Sequence, residues 1–304
     1  MELGSGTHRY DVIEGWPRLP AGKRFGYTHG VVVDSRDNVY IFNQSDDALM
    51  VFDREGNFIK SWGTEYAKGA HGLFLAKQNG REVLWLIDYE LPKVAKHTLD
   101  GEELLSLPMP DRPDIYEKAE QYKPTDVCVA PNGDVYVFDG YGQSWIHQYT
   151  AEGKYIRSFG GKGSEPGQTI CPHGGWVDTR RSAPELYVAD RGNHRIQVFT
   201  LDGGHVRFIT AEMQLPCCFY QWRDELYIPD LNARVTIYDR DDKPIMVLGD
   251  YPDAMKLPGY PETQGKIPPG KFSSPHACCV DSHGDVYVVE WISTGRVTKL
   301  RRKP

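Results

Sequence analysis

The chain has 304 residues, 40 % of them hydrophobic and 12 % aromatic, with a formal net charge of −7. That is enough apolar side chain for a sizeable core, and the acidic balance carries no basic footprint for nucleic acid. No apolar run approaches the ~18–20 residues of a membrane-spanning helix. The opening stretch MELGSGTHRY shows no secretory leader, so the expectation is a cytoplasmic protein with neither nucleic acid nor membrane as a partner.

In chain order, HRYDVIEGW near the N-terminus reads as a lone strand. GVVVDSRDNVYIFN and ALMVFDREGNFIKSWG then form a first unit of four short apolar segments separated by turns. GAHGLFLA opens a second unit, and the stretch from Asp111 to Gln121 suits one short helix. TDVCVAPNGDVYVFD with WIHQYTAEGKYIRSFG forms a third. GGWVDTRRSAPELYVAD, CCFYQWRDELYIPD and ACCVDSHGDVYVVE carry the rest. The segments alternate and are rich in Val, Ile, Tyr and Phe, as half-buried strands require. Asn132–Gly133, Asp202–Gly203, Glu55–Gly56 and His283–Gly284 supply turns that accept positive φ.

Six units open near His29, His71, Thr125, His173, Cys217 and His276. Four strands per unit at steps of about 40–60 residues predict an all-β fold, a six-bladed β-propeller filling residues 1–304 as one domain. The last unit runs out near Leu300 after three strands, so the segment Tyr10–Trp16 is expected to close it.

Two columns stand out in the repeat. An acid ends the second strand of most units, as Asp88, Asp139, Asp190, Asp230 and Glu290, with Asn43 in the first. Such a column reads as structural, because side-chain oxygens at strand ends accept nearby backbone N–H groups. The opening column does not repeat. His29, His71, His173 and His276 hold it beside Thr125 and Cys217. In a propeller the first strand of each unit lines the axis, so four imidazoles are expected to converge there. Neutral imidazole is the commonest ligand of transition metals, and zinc, iron and copper are all open. The other histidines, His8, His97, His147, His194, His205 and His283, are expected to have surface or packing roles. The six cysteines include the adjacent pairs Cys217–Cys218 and Cys278–Cys279, poor disulfide geometry, and read as free thiols.

KPTDVCVAPNGDVYVFDGYG, CPHGGWVD, LYVADRGNHRIQVF and SPHACCVD together resemble the NHL-repeat propellers, and among them peptidyl-α-hydroxyglycine α-amidating lyase. The resemblance runs over most of the chain from about Gly69. It implies zinc on His71, His173 and His276, a catalytic tyrosine at Tyr141 and a substrate-binding arginine at Arg191. This chain departs from the family's pattern at several positions. Gln44 stands where the family has a second arginine for the substrate carboxylate, and Ser274 replaces a methionine before the last histidine. Both are candidate substrate contacts. Ala277 replaces an acid that ligates calcium, which speaks against calcium. Gly142 replaces a cysteine. His29 adds a fourth histidine to the metal set.

Three neutral histidines with an open position make a catalytic zinc site, which polarises oxygen and lowers its pKa. Tyr141 beside it is a candidate base, and Arg191 a candidate anchor for an anionic or carbonyl group. The expectation is a metal-dependent lyase acting on an α-hydroxylated, carbinolamide-like small molecule or peptide-like substrate. A four-histidine iron or copper enzyme and a non-catalytic NHL binding scaffold are the alternatives.

Overall fold

The structure, a computed structural model, describes residues 1–262 and 266–304. Among the described residues it contains six antiparallel sheets, the blades of a six-bladed β-propeller. Blade 1 runs through Thr28–Val33, Val39–Asn43, Leu49–Phe52 and Phe58–Trp62. Blade 2 comprises Ala70–Gln78, Arg81–Asp88, Lys93–Thr98 and Glu103–Leu107. Blade 3 comprises Asp126–Val129, Val135–Phe138, Trp145–Tyr149 and Tyr155–Gly160. Blade 4 comprises Pro172–Asp178, Glu185–Asp190, Arg195–Phe199 and His205–Ile209. Blade 5 comprises Tyr220–Trp222, Glu225–Asp230, Arg234–Tyr238 and Pro244–Leu248. Blade 6 takes Pro275–Val280, Val286–Glu290 and Arg296–Arg302, then His8–Ile13 and Glu2–Ser5 from the N-terminus.

The chain divides into two compact units. The first, Met1–Ala67 with Cys217–Pro304, carries blades 1, 5 and 6. Val31, Ile41, Met50 and Phe52 of blade 1 pack against Cys279, Tyr287 and Val289 of blade 6. The opposite face of blade 6 packs with Tyr227, Val235 and Ile237 of blade 5. The second unit, Lys68–Pro216, carries blades 2, 3 and 4. Trp85 and Ile87 of blade 2 meet Val127, Val135 and Val137 of blade 3. Cys128, Tyr136 and Phe138 meet Val177, Leu186 and Val188 of blade 4. Alternation within each strand therefore fills two cores, one on either side of the blade.

Blade 6 is completed from the N-terminus, with Tyr10 opposite Arg302 and Ile13 opposite Lys299. The closing strand is His8–Ile13 rather than Tyr10–Trp16. Trp16 lies beyond the strand, its ring 4.8 Å from that of Tyr287 and its indole N–H donating to the Arg54 carbonyl. The helix expected over Asp111–Gln121 is reduced to a 3₁₀ turn, Ala119–Gln121. Prolines at 110 and 113 interrupt the segment, and Tyr116 and Tyr122 are drawn into the core between blades 2 and 3. The first strand of blade 5 begins at Tyr220, three residues after Cys217, although the Cys217 amide donates to the Pro229 carbonyl.

Candidate active site

Each expected site residue sits at or just before the start of a first strand, or in the turn after a second strand. In the second unit, four of them come together. His71 belongs to the first strand of blade 2 and His173 to that of blade 4; both are 1 % exposed. Their ring centroids lie 4.9 Å apart. The Tyr141 hydroxyl lies 3.1 Å from Nε2 of His71 and 3.3 Å from Nε2 of His173. The Arg191 guanidinium lies 5.5 Å from the centre of the Tyr141 ring.

The loop after the second strand of blade 3 brings Tyr141 there. Asp139 ends that edge and accepts the Lys123 and Gln143 amides at 2.7 and 2.6 Å. The Tyr141 amide in turn donates to the Lys123 carbonyl. Gly140 lets the loop pass close to its neighbours. A Cβ there would lie 2.5 Å from Thr125 Oγ1 and 2.7 Å from the Pro172 carbonyl. Gly142 is equally confined, because its Cβ would fall 2.1 Å from Asp139 Oδ1, leaving no room for a cysteine side chain. The phenol is 38 % exposed, so its hydroxyl reaches two buried imidazoles while its ring still meets solvent.

Arg191 opens the 3₁₀ turn Arg191–Asn193, and its Nη2 lies 3.3 Å from Cys171 Sγ. The preceding acid, Asp190, is engaged by the Ile170 amide, the Asn193 amide group and Nε of Arg195. Asp190 thus serves the turn while the Arg191 side chain leans over Tyr141. Cys171 reaches the guanidinium from a residue with φ of 53°, and burial raises its thiol pKa while Arg191 opposes the shift.

Nδ1 of His71 lies 2.6 Å from the Thr125 carbonyl, an acceptor only. The ring must therefore carry its proton on Nδ1 and present a lone pair at Nε2, which the Tyr141 O–H meets. Thr125 contributes to the column through this carbonyl.

In the first unit, the His29 and His276 rings meet edge-on with centroids 4.7 Å apart. Nδ1 of His276 lies 2.8 Å from the His29 carbonyl, so His276 also presents its Nε2 lone pair. The Gln44 backbone N–H donates to the Tyr27 carbonyl. Ser274 is fully buried, and its hydroxyl donates to Tyr260 at 3.0 Å. It is therefore buried rather than at a surface.

Sequence reasoning missed Tyr89. Its ring stands 5.6 Å from His71 and 5.5 Å from Tyr141, edge-on to both. The signal was available, because Tyr89 follows the acid Asp88 in the same turn of its blade that carries Tyr141 in blade 3. All six cysteines are free thiols; Cys128, Cys217, Cys278 and Cys279 are buried. His97 and His147 are fully packed, and His283 sits in an exposed turn.

Comparison with known proteins agrees with this architecture. A family model described as the NHL repeat matches residues 185–199, the second and third strands of blade 4. NHL repeat-containing protein 3 of Homo sapiens is 30 % identical over 207 residues, covering 65 % of this chain and 58 % of that protein. A probable peptidyl-alpha-hydroxyglycine alpha-amidating lyase of Caenorhabditis elegans is 29 % identical over 158 residues, covering 51 % of this chain and 44 % of the relative. The chain thus spans about half the length of these curated relatives. A solved structure titled Streptogramin B lyase superposes with a TM-score of 0.65 over 97 % of this chain and 98 % of the other. At 13 % identity that likeness concerns the fold. The chain therefore carries an NHL repeat in a six-bladed propeller, and its relatives include proteins named as amidating lyases. No helix among the described residues is long and apolar enough to cross a membrane.

Proposed function

We propose that this protein is a metal-dependent lyase that breaks the C–N bond of an α-hydroxylated, carbinolamide-like substrate, with zinc as the metal. The observation that carries the proposal is the Tyr141 hydroxyl, 3.1 and 3.3 Å from the Nε2 atoms of two buried histidines and overlain by Arg191. The resemblance in sequence to amidating lyases supports the same reading.

The donors suit a metal. His71 and His276 each have Nδ1 bound to a backbone carbonyl, the outer-shell arrangement that fixes a metal-binding tautomer. His71, His173 and His276 would hold the ion, and His29 then serves His276 through its carbonyl. When bound, the metal supplies polarisation of the substrate oxygen and lowers the pKa of nearby hydroxyl groups. Arg191 orients the substrate through an anionic or carbonyl group. Tyr141, as phenolate, takes the proton of the substrate's α-hydroxyl. The freed O–H electron pair forms the carbonyl, and the C–N pair leaves on nitrogen. The amide nitrogen then recovers the proton from Tyr141, giving an amide and an aldehyde with no redox change. Tyr89 walls one side of Tyr141 against water.

The test is elemental analysis of protein purified without added metal, together with amide release from α-hydroxyglycine derivatives. Stoichiometric zinc and turnover are expected, and the triple variant His71→Ala, His173→Ala, His276→Ala should lose the metal. Iron or copper with oxygen consumption would overturn the lyase reading, and protein with neither metal nor turnover would point to a binding scaffold.

A further inference from the structure

The acid column has a cation partner in every blade but two. Across the ladder, Asp88 faces Lys93, Asp190 faces Arg195, Asp230 faces Arg234 and Glu290 faces Arg296. Asp190–Arg195 and Glu290–Arg296 are direct ion pairs, at 2.7 and 2.9 Å. Blade 1 has no acid in the column: its Asn43 donates to the Ala48 carbonyl. Blade 3 alone keeps the acid and omits the cation, because Trp145 stands where the others have Lys or Arg.

A line of neutral groups takes the cation's place. Tyr116, from the segment before blade 3, donates its hydroxyl to Asp139 Oδ2 at 2.7 Å. The same hydroxyl lies 2.7 Å from His147 Nε2. His147 Nδ1 lies 2.7 Å from Ser158 Oγ, which lies 2.8 Å from the Tyr155 hydroxyl. Arg112 donates to Tyr155 at 2.9 Å. Tyr116, Asp139 and His147 are each at least 95 % buried.

The chemistry admits one direction of donation. An ionised Asp139 only accepts, so the single Tyr116 proton goes to it. His147 must then donate from Nε2 and accept at Nδ1 from Ser158, and Ser158 must accept from Tyr155. Arg112 closes the far end, because a guanidinium cannot accept. Hydrogen bonds aligned head to tail in a dry interior polarise one another.

We propose that Tyr116 and His147 are positioning residues for Tyr141, acting through Asp139. This rests on the reading of Tyr141 as the base. Asp139 anchors both sides of the loop, at Lys123 and Gln143, and Tyr141 lies between them in its turn. A cation across the ladder would compete with those amides for the same carboxylate. The Tyr116 hydroxyl instead shares Oδ2 with the Gln143 amide, held from a fixed direction by the neutral line, and leaves Oδ1 to Lys123.

The test compares Tyr116→Phe, Tyr141→Phe and the double variant, with Tyr136→Phe as control. Tyr136 is equally buried in blade 3 and loses a similar hydrogen bond, to the Leu201 carbonyl, without touching Asp139. Tyr116→Phe is expected to lower kcat about 10- to 100-fold with KM unchanged, the scale of a small misplacement of a reacting group. The loss should vanish when Tyr141 is already Phe, and the control should keep its kcat. Equal losses in both backgrounds, no loss in either, or a matching loss in the control would overturn the proposal. A second readout is independent of turnover. With 3-fluorotyrosine incorporated, the ¹⁹F resonance that disappears in Tyr141→Phe should shift in Tyr116→Phe and stay in place in Tyr136→Phe. A resonance indifferent to Tyr116 overturns the positioning role even if the protein is no lyase. A shifted resonance in a protein whose Tyr141→Phe variant keeps full turnover upholds the positioning and refutes only the base.

Discussion

In the proposed reaction, Tyr141 and Arg191 divide the chemistry between them. Tyr141→Phe should keep fold and metal but lose about 10²–10⁴-fold in kcat, the range for a positioned acid–base group. Arg191→Ala should chiefly raise KM if anchoring is its main task, and steady-state kinetics on acid and neutral substrates separates the two. Gln44→Arg, restoring a family charge, should favour the free acid over the neutral analogue. His147 makes a different prediction. Burial, with the nearby Arg112 charge adding to it, pushes its imidazole down to about 3. The unfolded ring protonates near 6.5, so the stability it contributes is complete above that pH and is lost as pH falls from 6.5 toward 3. Asp139 acts in the opposite sense, because burial raises its carboxyl to about 6, against the pull of its hydrogen-bond donors. Its contribution is present below 3.8 and lost as pH rises through 6. The His147 shift is the larger, so the pair loses stability as pH falls. His147→Gln should flatten the acid limb of unfolding free energy between pH 7 and 4.5, and an unchanged slope in denaturant titrations would refute the assignment.

At the scale of the element, the acid that ends three of the histidine-led strands caps a turn. Asp281 accepts the His283 and Asp285 amides at 2.9 Å, the Tyr287 hydroxyl at 3.0 Å and Arg54 Nε at 2.9 Å. Asp34 repeats the pattern with Arg36, Asn38 and Tyr40. Asp178 holds the Arg180 amide and guanidinium. The second blade has Ala76 at that position, and there the strand runs on to Gln78 with no such cap. Asp281→Ala should cost about 1–3 kcal/mol, because it leaves the buried Tyr287 hydroxyl and two turn amides without their acceptor, while Arg54 keeps Asp285 at 2.6 Å. Urea unfolding checks this; a cost below about 1 kcal/mol, the value of an exposed pair, would mean the cap is dispensable.

At the scale of the whole molecule, the N-terminal strand holds the last blade closed. Tyr10 is fully buried in the core shared by blades 5 and 6, and its hydroxyl meets that of Tyr227. Deleting residues 1–13 would bare the edge of Arg296–Arg302 and empty the Tyr10 site. The loss should exceed the ~3–5 kcal/mol typical of truncating one large aromatic side chain, and the open edge should promote association. Calorimetry and light scattering on the truncated chain measure both. A truncated protein as stable and monodisperse as the parent would show that the blade closes without this strand.

The repeat, the strands and the two columns were legible in the sequence because they rest on local rules. Alternation places side chains on blade faces, turn residues permit positive φ, and an acid at a strand end finds amides within a few residues. His71 and His173 could be singled out because they break that repeat, and Tyr141 and Arg191 through the resemblance carried by the turns that hold them. The structure decided what periodicity does not encode. It decided which carbonyl holds Nδ1 of His71 and of His276, that Ser274 is buried with its hydroxyl on that of Tyr260, and that Tyr89 joins the aromatic wall. It also decided that Tyr116, in a segment with no repeat and no helix, meets His147 across 31 residues of chain. Such contacts depend on the path of an irregular segment through a packed core, and only tertiary packing sets that path.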